Sequence, residues 1–125
     1  MKLLLPLFAL LLASACVQDE LPEPEVTDCI ADDVPSYQTD VLPIIERTCA
    51  YSGCHLGGAP GVYNDYEGLL ADLESRNFHD RVINQRADPT IGMPPNYSPE
   101  GRPQDLTDDE LRIINCWLEA GYPNN

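Results

Sequence analysis

From Cys49 to His55 the chain reads Cys-Ala-Tyr-Ser-Gly-Cys-His. Two cysteines with a histidine directly after the second are the means by which a polypeptide holds a c-type haem, in the usual form C-x-x-C-H. The thiols add to the vinyl groups at the porphyrin edge, and the histidine ligates the iron. A chain that carries such a group folds around it, so this run constrains the fold more than any other stretch. Here four residues separate the cysteines, a longer bridge that has to bulge if both sulfurs are to reach their vinyls.

The first residues bear on where those thiols find themselves. Residues 1–15 read as a secretory leader: Lys2 supplies the positive end, an almost unbroken apolar stretch follows, and Ala13-Ser14-Ala15 forms a small-residue cleavage zone. The apolar stretch is too short to span a bilayer as a helix. Leu12-Ala13-Ser14-Ala15-Cys16 resembles a bacterial lipobox. That resemblance implies cleavage before Cys16, lipid on its sulfur, and a protein anchored without a transmembrane helix. The alternative is an ordinary cleaved leader followed by a stray cysteine.

Export makes free thiols unlasting, because they oxidise or are captured by haem. With Cys16 assigned to lipid, Cys29, Cys49, Cys54 and Cys116 remain. If Cys49 and Cys54 hold haem, Cys29 and Cys116 are left as an even pair. A disulfide between them closes a long loop, worth about 4–5 kcal/mol in the chain-entropy account.

The formal net charge is −14, and the leader holds the only lysine. Six arginines are then the fixed cations of the exported chain, and there is no basic patch to neutralise phosphates. Nucleic-acid binding is therefore not expected. An acidic surface serves solubility and also steers a basic partner.

Residues 16–31 read as an acidic, proline-rich tether, too polar to pack. The acidic run just after Cys16 also resembles the surface-export tag of some Gram-negative lipoproteins. Residues 32–125 are enough for one small domain. The pattern predicts helices over 36–48, with Pro43 near the first turn, over 65–74, and over 77–86. Residues 87–106 hold five prolines and two glycines and read as a loop draped over something else. Thr107 and Glu110 form a capping box that opens the clearest helix, which Gly121 stops.

Met93 lies in that loop, in Ile91-Gly92-Met93-Pro94-Pro95, and is the candidate distal ligand; His/Met ligation raises the reduction potential of a haem. Its alternative role is a plug against the core. His79 is the competing distal ligand, set in a polar helical stretch where a solvent-facing histidine is the simpler account. Arg81 is a candidate partner for haem propionates, as is Arg86, and either equally suits a surface ion pair. Two haem-free alternatives remain. Cys49, Cys54, His55 and His79 are acceptable zinc ligands by type, and a plain Cys49–Cys54 disulfide would leave a stapled binding or assembly module. The carboxylates read as a solvated surface, with no pair that marks catalysis.

The order of these features resembles a known family. A helix with Pro43-Ile44-Ile45 precedes Cys49…Cys54-His55; Met93-Pro94-Pro95 follows, then a helix ending Trp117-Leu118-Glu119-Ala120-Gly121. Over residues 37–125 the chain resembles the small class I cytochrome c domains, particularly the lipoprotein-type cytochrome c domain proteins of Gram-negative bacteria. The resemblance implies an all-α, cytochrome c-like domain with long loops wrapped around one covalent haem c. It implies Cys49 and Cys54 as thioether sites, His55 as proximal and Met93 as distal ligand. An iron with both axial positions filled has no place for substrate. The expectation is an electron carrier, not an enzyme, at the cell envelope, lipid-anchored to the outer membrane on its periplasmic or outer face, with redox proteins as partners and no small-molecule substrate.

Overall fold

The computed structural model describes Cys29 and residues 32–125, so the leader, Cys16 and, apart from Cys29, the tether lie outside the described residues. Among those residues the fold is all-α, with no strand. None of their helices is long and apolar enough to cross a membrane.

The first helical region begins as a π-helical turn, Tyr37–Val41, and continues as α1, Leu42–Thr48. Pro43 sits in the first turn of α1, where its missing N–H costs nothing. Tyr37, Val41, Ile44, Ile45 and Thr48 are its buried residues, the spacing of one helix face. The expected helix over 36–48 is thus present, with a widened opening turn that spacing alone does not announce.

Helix α2, Tyr66–Glu74, starts at Asp65, whose carboxylate accepts from the Gly68 N–H at 2.8 Å. Leu69 and Leu73 are its buried face. The chain reverses at Arg76, with φ of 62°, and opens the short α3, Asn77–His79. The single helix expected over 77–86 is not what forms. α3 gives way to a π-helical segment, Asp80–Asn84, and helical structure ends before Arg86. The cause is a competing bond: the loop that returns at Met93 takes up the Arg81 carbonyl at 3.0 Å, while the Gln85 N–H donates back to Asp80 at 2.7 Å. Phe78 and Val82 are buried on this stretch.

Residues 87–106 hold no helix or strand, as the prolines dictate. Helix α4, Asp108–Glu119, has both halves of the Thr107/Glu110 capping box and three acids in its first turn. Ile114, Asn115, Cys116 and Trp117 are its buried residues. Trp117 lies over Tyr37 with ring centroids 5.8 Å apart, joining α4 to the start of the first helical region. The segment after α4 then caps that region. Asn125 accepts from the Gln38 N–H at 3.1 Å through its backbone carbonyl and from the Tyr37 N–H at 3.0 Å through its side chain. Those are first-turn donors that have no partner within their own helix.

A disulfide joins Cys29 to Cys116 across 87 positions of sequence. It ties the edge of the tether to α4. Replacing both cysteines with serine is expected to lower the unfolding free energy by about 2–5 kcal/mol. Denaturant unfolding of the double variant measures this, and an unchanged midpoint would show that the bridge restrains nothing in the unfolded chain.

Candidate functional site

The C-terminal end of α1 delivers Cys49 directly into the cysteine–histidine run. The Cys49 N–H still bonds to Ile45 at 2.8 Å, and its carbonyl accepts from Tyr51 at 3.2 Å and from His55 at 3.2 Å. The four-residue bridge therefore folds back on itself instead of stretching. Ala50 and Tyr51 are buried, and Ser52 and Gly53 form the exposed bulge. Gly53 has φ of +90°, a conformation that suits glycine. The Arg102 guanidinium covers the Tyr51 ring at 4.4 Å and pins the bulge from outside.

A cavity of about 570 Å³ opens beside this turn, a size usual for cofactor sites. Cys49, Cys54 and His55 line one part of its wall, Arg81 and Met93 another. Of the residues that the sequence nominates for cofactor binding, these five are brought to one cavity, although Met93 is far from Cys49 along the chain; His79 and Arg86 do not line it. Its floor is apolar, with Phe78 and Val82, and prolines 94 and 95 close the loop side.

The His55 ring is held at two points. Its Nδ1 lies 3.3 Å from the Gly61 carbonyl, and its face stacks on Tyr63 with centroids 4.0 Å apart and planes 4° from parallel. A ring nitrogen engaged with a carbonyl leaves Nε2 for a metal, the usual arrangement around a ligating histidine. Met93 is half-buried against the core, its N–H donating to Arg81. Cys49 and Cys54 are free thiols here. Burial pushes the Cys49 thiol up to about 11, against the lowering effect of the Thr48 hydroxyl 3.2 Å from its sulfur. Such a thiol stays protonated at neutral pH. Two thiols, an imidazole and a thioether around a cavity of this size fit a covalently held haem.

The competitors are placed elsewhere. His79 does not line the cavity; its Nδ1 lies 3.3 Å from the Asn84 side chain and 3.8 Å from an Asp80 oxygen. The four-ligand zinc set does not assemble, and among the described residues no group of three or more His, Cys, Asp or Glu side chains is placed to hold a metal ion. Arg86 forms a surface ion pair with Asp105 at 2.9 Å.

Sequence reasoning missed Tyr63, Asp72 and Asn77, which also line the cavity. The Tyr63 hydroxyl donates to Asp72 at 2.6 Å, and the Asn77 amide donates to the other Asp72 oxygen at 2.9 Å. Burial, then this carboxylate, push the Tyr63 hydroxyl upward, so it stays a neutral donor. The carboxylates are thus not all solvated surface, as their distribution along the chain suggests. Asp72 is half-buried, and the only sequence signal was its place next to Leu73 on α2.

Gly92 fixes how closely the methionine loop approaches. A Cβ there would lie 2.3 Å from the Arg86 carbonyl and 2.7 Å from those of Asp88 and Gln85. Gly92→Ala is expected to push the loop off this seat and cost about 1–3 kcal/mol of stability, the usual range for overpacking. Denaturant unfolding reads it, and a change below about 0.5 kcal/mol would show that the loop yields without strain.

Comparison with protein-family models, with curated proteins and with solved structures finds no match to this chain.

Proposed function

We propose that this chain is a monohaem c-type electron carrier of the cytochrome c kind, held at a membrane by lipid on Cys16. The observation that carries the proposal is the convergence of Cys49, Cys54, His55 and Met93 on one cavity of about 570 Å³. A haem bound there supplies one-electron chemistry, its iron alternating between ferric and ferrous. The chain's own residues do the rest. Cys49 and Cys54 would anchor the group by thioether bonds, with the folded-back bridge carrying the two extra residues as a bulge. His55, oriented by Gly61 and Tyr63, would offer Nε2 to the iron. Met93 would supply a second ligand from the loop wall of the cavity, and with both ligands in place the group would serve electron transfer rather than bind substrate. Phe78, Val82 and the paired prolines keep water from the cavity floor. Arg81 supplies positive charge at the wall.

The loops of residues 53–61 and 91–97 then wrap one haem, completing the cytochrome c-like architecture. Partners are redox proteins, and the net charge of −14 favours a basic docking face on them. Lipid on Cys16 keeps the domain at the outer membrane, on its periplasmic or outer face.

The test is an intact mass and visible spectrum of the exported chain from a host with haem-attachment machinery able to haemylate a four-residue-spaced control. A haem-sized increment that survives denaturation, with sharp reduced α and β bands, is expected. His55→Ala should abolish the low-spin spectrum; Met93→Ala should keep the covalent haem and lower the reduction potential. A colourless protein, with the control coloured, would overturn the proposal and favour the haem-free stapled module.

A further inference from the structure

Two contacts from Arg81 tie the loop that carries Met93 to the helical stretch opposite it. The Arg81 backbone carbonyl accepts from the Met93 N–H at 3.0 Å, and the Arg81 Nη1 donates to the Ile91 carbonyl at 3.2 Å. The two contacts bracket Gly92, whose seat against three carbonyls allows no side chain. The backbone contact exists because of the π-helical segment Asp80–Asn84. In an α-helix the Arg81 carbonyl would accept from Gln85; here the Gln85 N–H bonds to Asp80 at 2.7 Å, and the Arg81 carbonyl is released to the loop.

The guanidinium is itself braced. Its Nε donates to the Asn77 side-chain oxygen at 3.0 Å, Asn77 donates to Asp72 at 2.9 Å, and Tyr63 donates to Asp72 at 2.6 Å while stacking on His55. A chain of hydrogen bonds therefore runs along the cavity wall from Tyr63, on which the His55 ring stacks, to the methionine loop. With Nε and one Nη1 hydrogen engaged, Nη2 remains for a propionate, so charge neutralisation does not account for the geometry of the side chain.

We propose that Arg81 is a positioning residue that sets the place of Met93, its guanidinium braced by Asn77 and Asp72; this rests on Met93 being the distal ligand. A thioether is a weak, neutral ligand. It competes for a metal only if the loop that bears it is ordered beforehand, so that binding does not have to meet that entropy. The bracket does this from the backbone side and leaves the thioether free.

The test uses the full exported chain with Asn77→Ala and Arg81→Gln, each first weighed intact. Where the haem increment is present, imidazole is titrated into the ferric protein, since it binds by displacing Met93. The apparent imidazole affinity is expected to rise about tenfold in Arg81→Gln and about threefold in Asn77→Ala, the worth of a charge-assisted and of an ordinary hydrogen bond. Covalent haem should still be attached in Asn77→Ala, and the unfolding free energy should fall by no more than about 1 kcal/mol for each hydrogen bond removed. Asn77→Ala leaves the Arg81 charge in place, so its effect separates positioning from neutralisation, and it carries the test alone if Arg81→Gln does not accumulate. Unchanged affinity in Asn77→Ala overturns the proposal, whatever Arg81→Gln does. Where no increment is present the electron-carrier proposal falls, and amide hydrogen exchange decides the bracket separately. The Met93 N–H should then exchange about three- to tenfold faster in both variants, and equal rates overturn it.

Discussion

Trp117 has no exposed surface, and its ring packs over Tyr37, itself 1% exposed, where α4 crosses the start of the first helical region. The rest of the domain is arranged around this contact. The indole N–H donates to Pro123 at 3.0 Å, which turns the chain after α4 back across the first helical region. Tyr66 joins from α2, edge-on to Tyr37 at 5.1 Å, and its hydroxyl reaches the Tyr122 carbonyl at 2.9 Å. Three helices and the last residues thus meet at one aromatic cluster, to which edge-to-face and stacked pairs add something beyond their buried area. An ion pair between Arg47 and Glu110 lies outside it, and Glu110 also serves the Thr107 cap.

With the helices secured at that cluster, the opposite part of the molecule is left to loops. Residues 49–61 and 87–106 have no ladder of their own, and they meet across the cavity instead of across a packed core. The physical consequence is a division of labour. Aromatic packing carries the stability, while the cavity wall is held by directional bonds: Gly61 to His55, Asp72 to Tyr63 and Asn77, Arg81 to Ile91 and Met93. Such bonds set geometry more than they add stability, since each is worth about 1 kcal/mol net. That is what a site needing fixed positions on both sides requires.

Several parts of this arrangement were legible in the residues. The capping box at Thr107, Pro43 in a first turn and the stop at Gly121 are local signals that close within a turn or two, and each helix they govern formed. The cysteine–histidine run and Met93 were legible because few side chains have that chemistry and they stood in proline- or glycine-marked loops. The π-helical segment was not legible, because it depends on a bond from Met93 to Arg81. Asp72 was not legible either. A carboxylate on an amphipathic helix reads as solvated until the loop carrying Tyr63 is seen to cover it. Arg81 offered charge to a sequence reader; its role as a bracket came from the direction of its donors.

The sequence by itself therefore determined the helical stretches that begin near residues 36, 65 and 107, though not the course of the stretch after Asn77, and which rare side chains are available to hold a cofactor. Those outcomes rest on backbone geometry and capping among near neighbours. Only the tertiary structure decided that Cys49, Cys54, His55, Arg81 and Met93 share one cavity, that His79 and Arg86 do not, and that Tyr63, Asp72 and Asn77 link its two sides. Convergence of that kind depends on how the loops are laid across the aromatic cluster, and hydrogen-bond direction between distant residues is not encoded in their spacing.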